Sequence, residues 1–102
     1  MSAYLLTPLA KADIFDIWVY IAENSEIADH VEQAIYDACA FLAEGPLRGH
    51  SRPDLTPRAL RFWTLNRYPK YTVVYRPDTT PLQIVAVLHG SRNIRRILGG
   101  RL

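Results

Sequence analysis

Several residue types are scarce in this 102-residue chain, and each scarcity excludes something. There is one cysteine, Cys39, so no disulfide can close within the chain. Cys39 falls at an apolar position of a helical pattern, which makes it a small core thiol and not a nucleophile. No cysteine or histidine pair stands at metal-ligand spacing, and no glycine-rich loop opens a helix, since Gly99-Gly100 follows the last one. Metal and cofactor are therefore both expected to be none. No apolar run approaches the roughly 20 residues that span a bilayer, and the N-terminus has no basic start, apolar centre and cleavage site. A cytoplasmic protein without membrane contact is expected, folded as a single domain over residues 1–102.

Lysine is the other scarcity: Lys11 and Lys70 stand against ten arginines. The charges are also unevenly placed. In residues 1–44 one lysine meets eight acids, for a net −7, whereas in residues 45–102 ten arginines and Lys70 meet only Asp54 and Asp78, for a net +9. Arginine suits planar, bidentate contact with carboxylate or phosphate, and plain solubility would be served as well by lysine. The basic part is thus expected to hold a face that attracts an acidic partner or a polyanion.

Periodicity sets the elements. Residues 3–6 read as a short strand, and Thr7-Pro8 is a helix start. A first helix is expected to about Glu23, with Ala10, Ile14, Ile17, Trp18 and Ile21 as its buried stripe. Phe15 and Val19 widen its apolar arc, either to touch the next helix or to receive a partner. Ser25 is the expected cap of a second helix that ends at Gly45-Pro46 and carries Ala28, Val31, Ile35, Ala38 and Leu42. Ile27, Ala34 and Phe41 flank that stripe toward the first helix. A link this short makes the pair an antiparallel hairpin. Residues 46–58 read as loop, with His50 on the surface.

Strands are then expected at residues 60–65, 71–76 and 82–89, joined by tight turns and followed by a short basic helix over residues 92–98. Ile84-Val85-Ala86-Val87-Leu88 is an unbroken apolar run, so this strand should lie inside the sheet. The result is an α+β fold of order β-α-α-β-β-β-(α), with the helix hairpin on one face of a small, mostly antiparallel sheet. The opposite face is expected to be open and to display arginines and aromatics. Arg92, emerging after the buried strand, leads the candidates for contact with a target; His89, Arg61, Arg95 and Arg96 join it, and Arg101 extends the basic tail.

These pieces together resemble a known family. Tyr4-Leu5-Leu6-Thr7-Pro8 opening a helix with Asp16-Ile17-Trp18-Val19-Tyr20-Ile21-Ala22, then Pro46-Leu47-Arg48-Gly49, Leu60-Arg61-Phe62, Tyr71-Thr72-Val73-Val74-Tyr75-Arg76 and Leu88-His89-Gly90-Ser91-Arg92 look like the RelE/ParE superfamily of type II toxin-antitoxin systems. The resemblance covers almost the whole chain and is strongest to the ParE branch, whose members include plasmid-stabilisation toxins. It implies a toxin that poisons DNA gyrase by contact, with Arg61, His89, Arg92, Arg95 and Arg96 toward the target. It also implies a co-encoded ParD-like antitoxin that wraps the toxin, with Phe15 and Val19 as the apolar residues that meet it. Such antitoxins are usually ribbon-helix-helix dimers, so DNA would be touched only through them. The RelE branch instead cleaves messenger RNA on the ribosome with lysines on the first hairpin strand, arginines on the next strand and after the last, and often a C-terminal tyrosine. The corresponding stretches here read Trp63-Thr64, Thr72 and Leu98, and only Arg92 matches, although Arg61 and His89 are the right residue types to substitute. No catalytic residue is assigned.

Overall fold

The structure, a computed structural model, describes residues 3–90 and 94–101. Its elements are β1 (Tyr4–Leu6), α1 (Pro8–Ile21), α2 (Ser25–Glu44), β2 (His50–Ser51), β3 (Arg61–Thr64), β4 (Tyr71–Arg76), β5 (Leu82–His89) and α3 (Ile94–Gly99). The sheet order is β1-β5-β4-β3-β2. β1 runs parallel to β5 and the other pairings are antiparallel. As its apolar run requires, β5 is interior, and Ile84 to Leu88 are all buried.

Local chemistry explains the helix ends. Thr7 caps α1 by accepting from the Ala10 amide at 3.2 Å, and Pro8 takes the first helical position, where a missing N–H costs nothing. Asn24, not Ser25, caps α2, accepting from the Ile27 amide at 3.2 Å. α1 stops at Ile21 and α2 starts already at Ser25, so the residue before it, Asn24, takes the cap. Gly90, at φ +66°, turns the chain out of β5 in a conformation that glycine adopts freely.

One face of the sheet carries the larger core: Ala10, Ile14 and Ile17 of α1 and Val31, Ile35, Cys39 and Leu42 of α2 close over Val73, Tyr75, Ile84 and Val87. The opposite face is not open as expected. Leu60, Phe62, Val74, Val85, Ala86 and Leu88 form a second core under Leu98, with Leu55, Ile94 and Ile97 packed against it. The physical reason is that α3 and the loop of residues 52–60 together bring enough apolar surface to cover a sheet face that neither could shield alone.

That loop region also departs from the featureless reading. His50 and Ser51 pair with Phe62 and Arg61 as a short edge strand. The turn before it is held by Tyr75, whose buried hydroxyl donates to the Pro46 carbonyl at 2.6 Å and accepts from the Gly49 amide at 2.9 Å. A Cβ on Gly49 would lie 2.5 Å from that hydroxyl oxygen, so only glycine lets the backbone come so close. Burial raises the Tyr75 phenol above its ordinary value, against the opposing pull of the Gly49 amide and Arg61.

Candidate functional site

The basic residues named from sequence do not converge. Arg61 sits on the helix-covered side of β3, together with Trp63, and donates to the carbonyls of Gly49 at 2.7 Å and Leu47 at 3.4 Å. It locks the residue 46–49 turn and does not line an open face. Arg95 is spent on the Asp54 carbonyl, to which its Nε donates at 2.8 Å and its Nη2 also donates. Arg48 donates to the Phe41 carbonyl at 2.7 Å and stacks its guanidinium 4.0 Å from the Phe41 ring centroid. Arg96 is exposed in the last turn of α3. Arg92 lies outside the described residues.

Arg101 makes the strongest ion pair. Its Nη1 and Nη2 meet the Asp13 carboxylate at 2.7 and 2.8 Å, with the two side chains only 13% and 16% exposed. Asp13 also accepts from the Val87 amide at 2.9 Å, and Arg101 donates to the Val85 carbonyl at 3.0 Å. β1 pairs with β5 only over Leu82 to Ile84, so the pair satisfies backbone groups on the stretch of β5 that β1 is too short to reach. The bond to Asp13 raises the Arg101 guanidinium further above its ordinary value. This pairing removes Arg101 from the basic tail. Its signal was legible: Asp13 stands three residues after Ala10 and four before Ile17, on the edge of the buried stripe where an unpaired carboxylate is not tolerated.

His89 is held between two tyrosines, with ring centroids 5.4 Å from Tyr20 and 5.1 Å from Tyr71. It pairs with Tyr71 at the start of β4, while Arg61 pairs with Tyr75 near its end. The two candidates therefore occupy opposite ends of the sheet and cannot act on one group. Thr64 and Thr72, standing on the hairpin strands, share a hydroxyl–hydroxyl hydrogen bond at 3.3 Å.

The candidates on α1 do come together. At 100° per residue Pro8, Ala12, Phe15 and Val19 fall within an arc of about 60°, opposite the buried Ala10, Ile14 and Ile17. All four are exposed, Phe15 at 65% and Val19 at 52%. The next helix leaves them open to solvent; contact between the hairpin helices includes Trp18, whose indole N–H donates to Asp29 at 3.0 Å. α1 thus carries two apolar stripes and the fold buries one. The expectation that Phe41 packs against α1 is also corrected. It is 43% exposed and packs on Trp63 with the rings tilted 45° at a centroid distance of 5.3 Å, because β3 lies near that end of α2.

A groove missed in the sequence runs between α2 and the β3–β4 turn. It has a volume of about 540 Å³, with Ala34, Phe41, Trp63 and Tyr68 as apolar walls and Asp37 and Arg67 on its rim. Its two walls are about thirty residues apart in sequence, so no local pattern could announce it. Cys39 is buried, and desolvation pushes its thiol up to about 12, which leaves it inert at neutral pH. Among the described residues no group of three or more His, Cys, Asp or Glu is placed to hold a metal ion, and no helix is long and apolar enough to cross a membrane.

Comparison with known proteins bears on all of this. A family model described as the ParE toxin of type II toxin-antitoxin systems, parDE, matches residues 4–94. Toxin ParE1 of Caulobacter vibrioides is 32% identical to this chain over 102 residues, taking in 97% of this chain and 100% of its own length. A chain in the solved structure of a chromosomal ParDE TA system from P. aeruginosa superposes with a TM-score of 0.73 at 24% identity, covering 89% of this chain and 98% of that one. The last likeness is one of fold.

Proposed function

This chain belongs to the ParE toxin family of type II toxin-antitoxin systems, and from that premise we propose that it inhibits DNA gyrase by protein-protein contact in the cytoplasm and is neutralised by a co-encoded antitoxin. The observation that carries the antitoxin half is the exposed ridge Pro8, Ala12, Phe15 and Val19, opposite a stripe that already covers the sheet. A helix apolar on both sides is normally covered on both sides. An amphipathic helix of the antitoxin laid along α1 supplies that second cover. The antitoxin's ParD-like, ribbon-helix-helix half would then bind DNA, so this chain touches DNA only through its partner.

Action without bond cleavage is favoured by the arrangement of polar groups. Phosphoryl cleavage needs a base and cations gathered on one scissile group. The hairpin positions at which the nuclease branch carries cations hold Trp63 and the Thr64–Thr72 hydroxyl pair, the position of its C-terminal tyrosine holds the buried Leu98, Arg92 alone matches, and Arg61 and His89 stand at opposite ends of the sheet. Target contact is then left to the exposed surface near His89 and α3, where Arg96 is exposed and Arg95 is exposed though bonded to the Asp54 carbonyl; Arg92, outside the described residues, stays a candidate from sequence alone. Inducing the chain in cells without its antitoxin should give filaments and an SOS response while total messenger RNA stays intact. Rapid transcript cleavage on induction would replace this reading with a ribosome-dependent nuclease.

A further inference from the structure

Arg76 is a cation with no ion pair among the described residues, although Asp78 lies across a small pocket from it. It is half-buried at the end of β4, and its Nε is fully buried with no hydrogen-bond partner. The ion pairs among the described residues are Arg52–Asp54 and Arg101–Asp13, neither of which includes it. A guanidinium cannot escape such a position by losing its proton, so a buried N–H without an acceptor stays costly at every working pH.

The surroundings say what would complete it. Arg76 pairs in register with Gln83 of β5, and Gln83 with Leu5 of β1, so the three form one row across three strands. The row lies beyond the second core, whose nearest members are Val74 and Val85. Beside it is a pocket of about 290 Å³ lined by Thr7, Pro8, Leu9, Arg76, Gln83, Val85 and Arg101. Two of these polar residues are already committed. Thr7 accepts from Ala10 and donates to the Val85 carbonyl at 3.5 Å, and the charge of Arg101 is matched by Asp13. That leaves the Arg76 guanidinium, which has no ion pair among the described residues, the Gln83 amide and the positive end of α1 entering at Pro8.

We propose that this pocket is a carboxylate site, filled by an acidic side chain of a peptide segment that lies across the Leu5–Gln83–Arg76 row. The inference rests on the reading above, in which a partner segment wraps the toxin, and it names the chemistry of one contact. One free guanidinium matches a single negative charge and a flat, two-oxygen acceptor, whereas a phosphate dianion would ask for a second cation. At about 290 Å³ the pocket has room for an acidic side chain together with the backbone that carries it. Leu5 and Leu9, 52% and 49% exposed beside it, give apolar footing to residues flanking the acid, which a free ion would not use.

The test is an NMR titration of the full chain, reading the Arg76 Nε–Hε and Gln83 amide resonances. The probes are acetyl-Leu-Glu-Leu-amide, its Gln analogue and inorganic phosphate. The Glu peptide should shift both resonances saturably, with at least tenfold weaker response to the Gln peptide and to phosphate. In Arg76→Gln, checked for an unchanged circular dichroism spectrum, the Gln83 response should vanish. Absence of a saturable shift with the Glu peptide in the native chain overturns the site, and a response to phosphate alone overturns the peptide assignment. The two readings separate cleanly. A chain that binds the Glu peptide at Arg76 yet provokes no SOS response keeps this site and loses the gyrase reading. A neutralising antitoxin whose affinity is unchanged in Arg76→Gln removes the site alone.

Discussion

α1 and α2 cover the same side of the same sheet, yet their outer faces differ. α2 buries Ala28, Val31, Ile35, Ala38, Cys39 and Leu42 and turns Glu26, Asp29, Gln33, Asp37 and Glu44 outward, with Ile27 and Phe41 also exposed but far apart near its two ends. α1 buries Ala10, Ile14 and Ile17 and turns Pro8, Ala12, Phe15 and Val19 outward. The mostly charged outer face of α2 is what water requires, and its exposed Phe41 is stacked on Trp63 and Arg48 of the same chain. The outer face of α1 serves no purpose in the isolated fold, so its apolar side chains point to an association. Stability and binding should therefore divide between neighbouring residues of one helix.

The largest effect should appear when the buried stripe of α1 is cut. Ile14→Ala should cost about 3 kcal/mol in denaturant unfolding, the usual range for a fully enclosed aliphatic side chain. Phe15→Ala, one residue on, should stay within about 0.5 kcal/mol because its ring is already in water. Equal losses at the two positions would break the comparison.

Asp13→Ala tests the edge of the same buried stripe. It strips the counter-charge from a mostly buried Arg101 and the acceptor from the Val87 amide, at a cost of about 2–3 kcal/mol. The double variant Asp13→Ala/Arg101→Ala should recover part of that loss in the same unfolding assay, since no unpaired charge remains.

On α2 the corresponding probe is pH. The folded state holds the Cys39 thiol up to about 12 by burial, from an ordinary value of 9.0, so it favours the protonated form more than the unfolded chain does. That contribution is complete below pH 9 and is lost as pH climbs from there toward 12. Tyr4, Tyr36, Tyr71 and Tyr75 are shifted in the same direction, with burial the leading cause in each, and add to the decline. Unfolding free energy should fall by about 2 kcal/mol from the thiol alone between pH 8 and pH 10.5. Cys39→Ala should show a correspondingly shallower fall.

Much of the architecture was written in periodicity. The unbroken run from Ile84 to Leu88 announced an interior strand, and the short links before Tyr71 and Leu82 allowed only antiparallel neighbours. The covered second face was harder to foresee. It depends on Leu55 and Leu60, from a stretch rich in proline, meeting Ile97 and Leu98 some forty residues later. The arginines were least legible of all. Arg61 ends on Gly49 and Arg95 on Asp54, backbone acceptors whose positions only the finished fold sets. Residue type announced that guanidinium groups would find planar acceptors, but not that so many acceptors would belong to the chain itself. The α1 ridge was half-visible: its width was plain, and its opposition to the buried stripe needed the helix to be placed.

The most direct test is calorimetric titration of the co-encoded antitoxin into the native chain and into the double variant Phe15→Asp/Val19→Asp, with thermal melts of both free chains alongside. Two carboxylates on the outer ridge of α1 should weaken binding at least 100-fold while the melting temperature stays within a few degrees, because neither side chain supports the core. Undiminished affinity in a folded double variant would contradict the assignment of this ridge to the partner.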